Sequence, residues 1–169
     1  MIFILDTNIL STFRKSKPHP SILRWVAAND WKDLATTVVT VTEIQRGVER
    51  ARGQHPTVAR HVEAWLIGML AVGEPQVLPL DFEAARVLGR MYEHPALRHF
   101  IVTDPQAREQ ATGADLAIAA IAIAVNATVA THNVGHFLQI NAVFPLPGLF
   151  DPLDQTWHVR PTGAPPDTR

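Results

Sequence analysis

The chain has 169 residues, the size of one compact domain, so we expect a single core with one active site. Its 15 basic residues are balanced by 16 acidic ones, and the formal net charge of -1 excludes binding of nucleic acid through bulk positive charge. The absence of cysteine excludes disulfides, thiolate nucleophiles and cysteine-bound zinc, and it is compatible with a reducing cytoplasm.

The N-terminal apolar run, residues 2–5, predicts a buried strand. It is too short for a signal peptide and has no basic region before it. The longest other apolar run, residues 116–125, has about half the length needed to cross a bilayer. We therefore expect a soluble, cytoplasmic protein that does not enter the membrane.

Short apolar runs alternate along the chain with segments of helical periodicity. The predicted strands are residues 2–5, 38–39 with the flanking threonines, 77–80 and 128–131. The predicted helices are residues 20–29, 41–51, 58–71, 82–92 and 114–126. This alternation predicts an α/β fold with a mostly parallel sheet covered on both faces, and in such sheets ligands bind beyond the carboxyl ends of the strands.

Two regions do not follow this alternation. Residues 94–112 have mixed charge, two prolines and no clear period, and we expect a long loop with one short helical turn. The segment from residue 151 onward contains four prolines and is expected to be extended or disordered. The sequence therefore predicts a domain over residues 1–150 and a tail over residues 151–169.

Three acidic residues stand where predicted strands end or predicted helices begin. Asp6 follows the first strand, and Glu43 and Asp115 each lie three residues after a threonine, Thr40 or Thr112. Taken singly, Asp6 can cap a helix or begin a turn, and the other two acids fit capping boxes. Taken together, they can share one rim of the sheet, where grouped carboxylates favour Mg²⁺ or Mn²⁺. Such a site suits phosphodiester hydrolysis.

A polar segment, residues 131–137, follows the last predicted strand and would reach the same rim. It contains His132 and His136, which would share one face of a helix and could form a zinc or nickel pair. No third ligand is evident nearby, and hydrogen-bonding histidines are the alternative.

These four segments, in this order, resemble the PIN-domain ribonucleases, and most closely the VapC-type toxins of bacterial toxin–antitoxin pairs. The matching motifs are Leu-Asp-Thr-Asn at 5–8, Thr-Glu-Ile at 42–44, Gly-Ala-Asp-Leu-Ala-Ile-Ala-Ala at 113–120 and Thr-His-Asn-Val-Gly-His-Phe at 131–137. The resemblance covers residues 1–150. It implies a three-layer α/β/α fold and Mg²⁺- or Mn²⁺-dependent endonucleolytic cleavage of RNA. It also implies inhibition by a cognate antitoxin and assembly as a homodimer.

The resemblance makes Asp6, Glu43 and Asp115 the catalytic acids and the metal ligands. Members of the family often have a fourth acid at the position of His136, which leaves a second metal position open. Four side chains are candidates to orient the carboxylates, bound water or phosphate oxygens: Asn8, Thr131, Asn133 and His136.

Two arginines on the helix of Glu43, Arg46 and Arg50, lie one turn apart and are candidates to contact the RNA backbone. Solvated helix charges beside Glu49 are an equal alternative for them.

Other functions fit less well or stay open. A haloacid-dehalogenase-like phosphatase would need an aspartate where Asn8 stands, and no serine lies in a G-x-S-x-G elbow. Two alternatives remain: a PIN nuclease of RNA maturation, and an inactive acidic pocket that binds an arginine-rich partner segment.

Overall fold

The fold, given by a computed structural model that describes residues 1–15, 17–102 and 111–162, has one sheet between two layers of helices. The strands are β1 Phe3–Leu5, β2 Leu34–Thr37, β3 Gln76–Leu78, β4 Thr128–Ala130, β5 Gly148–Asp151 and β6 Thr156–Val159. The helices are α1 Thr7–Leu10, α2 Pro20–Ala27, α3 Val38–Arg52, α4 Pro56–Val72, α5 Phe82–Glu93, α6 Ala114–Ala124 and α7 Val134–Asn141. Short 3-10 helices cover Ser11–Arg14, Trp31–Asp33 and Pro95–Phe100.

The strands are ordered β3-β2-β1-β4-β5-β6, and the first five are parallel. Only β6 runs antiparallel to its neighbour within the described sheet. In this order the carboxyl ends of β1 and β4 are adjacent, because Leu5 pairs with Ala130. The residues that follow these two strands therefore meet at one edge of the sheet, and the predicted mostly parallel α/β fold is confirmed.

Alternation along β1 shows how the two helical layers are packed. Ile4 belongs to a core cluster with α5, α6 and α7, whereas Phe3 and Leu5 belong to a second cluster with α1, α2 and α4. Successive side chains of a strand point to opposite faces, so each face of the sheet buries its own cluster. This is the three-layer arrangement.

The buried helix α6 carries Asp115 in its first turn. Leu116, Ile118 and Ile121 are fully buried, which explains the long apolar run in the sequence. Gly113 precedes the helix with a positive φ of 69°, a conformation that favours glycine, and its N–H donates to the Phe100 carbonyl over 2.9 Å. In the described part of the chain, no helix has both the length and the apolar character needed to cross a membrane.

The strand predicted at residues 38–39 is wrong, because these residues form the first turn of α3 and the strand β2 ends at Thr37. The β-branched run through Thr40 has strand propensity, but the Thr37 hydroxyl accepts from the Thr40 N–H over 3.1 Å and caps the helix. The predicted capping box of Thr40 and Glu43 is therefore also wrong. Glu43 lies in the second turn, where its side chain is free to serve the site.

The sheet continues past residue 150, where the sequence analysis placed a separate tail. The boundary predicted there falls within β5, and β6 adds a further strand. The Trp157 ring on β6 lies 4.9 Å from the Phe150 ring and 5.9 Å from the Phe3 ring, measured between centroids. Residues up to 159 thus belong to the domain, while residues 163–169 of the predicted tail lie outside the described residues.

The predicted loop at residues 94–112 contains one short helical element, the 3-10 helix Pro95–Phe100. Residues 103–110 lie outside the described residues. Helix α7 and strands β5 and β6 were absent from the sequence-based prediction.

Candidate active site

Asp6 directly follows β1 and is only 3% exposed. Its backbone N–H donates to the Ala130 carbonyl over 3.0 Å, which continues the ladder between β1 and β4. One carboxylate oxygen accepts from the Thr7 N–H over 2.6 Å, so Asp6 also caps α1. The other oxygen accepts from Asn8 Nδ2 and Thr131 Oγ1, each over 2.7 Å.

The pKa of Asp6 is raised to about 7, mainly by burial and also by the charges of Asp115 and Glu43. The hydrogen bonds from Thr131 and from the Thr7 N–H lower the pKa and offset part of this increase. The carboxyl group is therefore held in surroundings that disfavour its charged form. A cation beside it would reverse this preference.

Glu43 faces the same site from α3. Its Oε2 accepts from the Thr7 hydroxyl, so Thr7 holds two different acids, Asp6 through its backbone N–H and Glu43 through its hydroxyl. Partial burial raises the pKa of Glu43, whereas the Thr7 hydrogen bond and the charges of Arg46 and Arg50 lower it. The charge of Asp115 raises it further.

Asp115 belongs to a third element, the first turn of α6. Its Oδ2 accepts from Asn133 Nδ2 over 3.2 Å and lies 2.6 Å from His136 Nδ1. The predicted capping box of Thr112 and Asp115 is wrong, because Gly113 is the N-cap residue and the Thr112 hydroxyl accepts from the Ala114 N–H instead. The Asp115 carboxylate is left to face the site.

Thr131 joins the polar residues of the two strand ends. Its hydroxyl donates to Asp6 and accepts from Asn8 Nδ2 over 3.0 Å and from the Asn133 N–H over 2.9 Å. Asn8 Oδ1 in turn accepts from the His132 N–H over 3.1 Å. The residues predicted to support the acids thus form one hydrogen-bonded network around Asp6.

The three acids line one open cleft of about 1030 Å³. Arg46 and Arg50 line it from α3. The 3-10 helix before residue 101 contributes His99 and Phe100, and α7 contributes His136. The cleft therefore has acidic, basic and aromatic parts.

The two histidines of the 131–137 segment contact different carboxylates. His132 Nδ1 lies 3.0 Å from Asp151 Oδ2, and His136 Nδ1 contacts Asp115. They do not form the zinc pair considered as an alternative. Within residues 1–15, 17–102 and 111–162, no group of three or more His, Asp or Glu side chains is arranged, as it stands, to hold a metal ion.

Sequence reasoning did not identify Asp151, which is 2% exposed and ends β5 at the same edge of the sheet. The signal was available, because an acid follows the apolar residues 148–150 as Asp6 follows residues 2–5. His99 was also missed, since nothing in its local sequence indicates that it reaches the cleft.

The parallel sheet and the acids at its carboxyl edge match a known class of domain. The family model "PIN domain" matches residues 3–141, and the chain belongs to this family. The family resemblance predicted from the motifs is confirmed.

Among individual proteins, the chain is similar to Ribonuclease VapC14 of Mycobacterium tuberculosis, with 31% identity over 65 residues that cover 38% of this chain and 63% of that protein. It is also similar to Plasmid stability protein StbB of Pseudomonas syringae, with 27% identity over 143 residues that cover 80% of this chain and 91% of that protein. The match to VapC14 thus spans less than two thirds of that relative.

Solved structures share the fold. The structure of FitAB bound to an IR36 DNA fragment superposes with a TM-score of 0.63 at 22% identity, covering 93% of this chain and 99% of that one. DNA-bound VapBC from Salmonella typhimurium gives a TM-score of 0.62 at 22% identity, covering 90% and 98%.

Proposed function

We propose that this PIN domain is the ribonuclease toxin of a toxin–antitoxin pair and cleaves RNA endonucleolytically with Mg²⁺ or Mn²⁺. The observation that supports this most is the buried Asp6 carboxyl, whose pKa is raised to about 7 by burial and by the charges of Asp115 and Glu43. At neutral pH such an arrangement costs the metal-free protein stability, so a role with a cation accounts for it better than a structural role. The similarity to VapC ribonucleases supports the choice of RNA.

The donor set fits a hard cation. Asp6, Glu43 and Asp115 would hold it, directly or through water, and all three offer carboxylate oxygens, which Mg²⁺ and Mn²⁺ prefer. When bound, the cation would lower the pKa of a coordinated water and neutralise charge on the scissile phosphate. No protein nucleophile is then required.

The remaining polar residues would orient the three acids. Thr131 and Asn8 hold one oxygen of Asp6, and the Thr7 hydroxyl holds Glu43. Asn133 and His136 hold one oxygen of Asp115: both lie on its Oδ2, which leaves Oδ1 as the oxygen available to a cation. Such fixed carboxylates keep their geometry when a cation arrives.

Arg46 and Arg50 would hold the RNA backbone beside the acids. They line the cleft on α3, and their charges reach Glu43 strongly enough to lower its pKa. Because the net charge of the chain is -1, local arginines are the means by which a polyanion can be held there.

We also propose a cognate antitoxin as partner, together with a homodimer. Beside the cleft, α3 and α4 form a groove of about 590 Å³ that includes Val41, Ile67 and Leu70 and shares Arg46 and Arg50 with the cleft. Ile67 is 61% exposed. An amphipathic partner segment could cover this apolar surface and extend a basic side chain into the acidic rim, where it would replace the cation.

The test is cleavage of RNA by the purified full-length chain, free of any partner, with Mg²⁺ or Mn²⁺ and then with excess chelator. We expect cleavage that depends on the metal. Persistent cleavage in chelator would contradict the metal mechanism, and the absence of cleavage under all metal conditions would favour the inactive acidic pocket. Growth arrest on expression, relieved by a protein encoded next to it, distinguishes a toxin from an enzyme of RNA maturation.

A further inference from the structure

We propose that His99, Phe100 and His136 form a wall of the cleft on which a base of the RNA stacks beside the scissile phosphate. The inference rests on the proposed ribonuclease function and names the residues that would contact a base at that same site. It assigns a role to the 3-10 helix Pro95–Phe100, which the catalytic proposal does not use.

The three rings are packed against one another. The Phe100 ring lies 4.3 Å from the His99 ring at an angle of 40°, and 5.4 Å from the His136 ring at 87°. Phe100 is 6% exposed and belongs to the core, whereas both imidazoles are exposed. The wall thus consists of two accessible rings supported by a buried one.

The His99 ring is also held by a hydrogen bond. Its Nε2 lies 2.8 Å from Gln139 Oε1 on α7. An exposed side chain that is restrained in this way loses little conformational freedom when a ligand stacks on it. His99 is exposed and is not part of the buried core, whereas its neighbour Phe100 is.

The wall is tied closely to the proposed catalytic acids. His136 Nδ1 lies 2.6 Å from Asp115 Oδ2, and the Phe100 carbonyl accepts from the Gly113 N–H, two residues before Asp115. A nucleotide whose phosphate lies over the acids therefore has its base within reach of the imidazoles. Histidine and phenylalanine rings are among the groups on which unstacked bases pack.

A different element of the cleft lining, α3, presents Arg46 and Arg50. Arginines favour the phosphate backbone, while the ring wall favours a base. In a paired A-form helix the bases are stacked inside and cannot reach a wall beside their own phosphates. An RNA whose base stacks on this wall must therefore present that base unpaired.

The test measures binding separately from cleavage, using the full-length Asp6→Asn chain and fluorescently labelled RNA of mixed sequence, either single-stranded or as a duplex. We expect tighter binding of the single strand. Adding His99→Ala should weaken single-strand binding by about five- to one-hundred-fold and leave duplex binding unchanged, since one base is stacked per site. His99→Phe should retain most of the affinity, because it keeps a ring for stacking.

His61→Ala, at an exposed histidine of α4 outside the cleft lining, is the matched control and should leave both affinities unchanged. Equal losses of affinity for single strand and duplex, or no loss with His99→Ala, would contradict the proposed base-binding wall.

Cleavage assays separate this proposal from the proposed ribonuclease function. They compare two substrates, one with a base and one with an abasic unit next to the scissile phosphate. If the wild-type protein cleaves RNA, and His99→Ala gives the same ratio of cleavage rates for the two substrates as the wild type, the wall is wrong and the ribonuclease function stands. If no RNA is cleaved although the single strand binds through His99, the ribonuclease function is wrong.

Discussion

The hydroxyl of Thr131, at the end of β4, donates to Oδ2 of Asp6, at the end of β1, over 2.7 Å. This contact joins two strands that are adjacent in the sheet but distant in the chain, and it is fully buried. The candidate active site therefore depends on the register of β1 and β4.

Thr131→Val tests that dependence. The change keeps the shape of the side chain but removes the donor, so Asp6 loses a hydrogen bond that lowers its pKa. We expect a loss of about 1–3 kcal/mol in the free energy of unfolding and a large decrease in RNA cleavage. Chemical denaturation and a cleavage assay measure the two effects. Thr128→Val, a buried threonine of the same strand away from the acids, is the matched control, and an equal effect there would contradict a specific role for Thr131.

Asp6→Asn should abolish cleavage while leaving the metal-free protein as stable as the wild type, or more stable. Asparagine keeps the size of the side chain and removes one charge from a group of like charges, and this gain offsets the replacement of one acceptor oxygen by an amide N–H. Adding Mg²⁺ should make the wild type more stable than the mutant, because a cation that binds only the folded wild type stabilises it by mass action. Thermal melts with chelator and with Mg²⁺ measure this. Equal destabilisation of the mutant under both conditions would show that Asp6 serves the fold alone.

The stability of the metal-free protein should depend on pH through Asp6. Its pKa in the folded protein is about 7, against 3.8 for an unperturbed carboxyl, so the folded state favours the protonated form. The contribution of Asp6 to stability is therefore fully present below about pH 4 and is lost as the pH rises through about 7, with an upper limit of about 4 kcal/mol. Melts in chelator, from about pH 5 to about pH 8, should show the wild type losing stability relative to Asp6→Asn. If the stability of the two proteins changed with pH in the same way, the raised pKa of Asp6 would be refuted.

Arg46→Ala combined with Arg50→Ala should raise KM for RNA and reduce the dependence of binding on salt concentration, since each arginine that contacts a phosphate contributes to that slope. The same change removes two charges that lower the pKa of Glu43, so the pH profile of cleavage should also move to higher pH. Arg60→Ala, on α4 and outside the cleft lining, is the control. If KM and the salt dependence of binding did not change, the two arginines would be solvated charges of the helix and not RNA contacts.

Ile67→Glu should prevent inhibition by the proposed antitoxin without loss of RNA cleavage, because it places a charge in the apolar groove of α3 and α4. Inhibition of the variant and of the wild type by the partner would be compared in the same cleavage assay. Phe82→Glu changes an exposed apolar residue of α5, 74% exposed, and should leave inhibition intact. Inhibition that survives Ile67→Glu would exclude the groove as the docking site.

The sequence predicted the mostly parallel character of the sheet, most of the helices and the acidic rim, because these depend on local patterns. Asp6 and Asp115 were found from the apolar runs beside them, and the two parallel strand ends were expected to bring such residues together. The start of α3 was wrong because the threonine-rich run between β2 and Glu43 suits a strand and a helix cap equally, and tertiary packing decides between them.

Other features depend on contacts between distant segments and leave no local signal. His99 lines the cleft from a 3-10 helix that is joined to the start of α6 by the hydrogen bond from the Gly113 N–H to the Phe100 carbonyl. The pairing of β6 with β5 likewise requires the aromatic ring of Trp157 to meet Phe150. In the sequence, prolines around that strand suggested a tail.

The contact between the rings of Phe3 and Trp157 has a consequence for biosynthesis. Phe3 lies on the strand that presents Asp6, and its packing is completed by a residue translated more than a hundred positions later. During translation, β1 therefore lacks part of its covering until β6 has left the ribosome. For the proposed ribonuclease, which would be made in the presence of the ribosome's own RNA, this order of assembly delays completion of the core beneath Asp6 until nearly the whole domain has been synthesised.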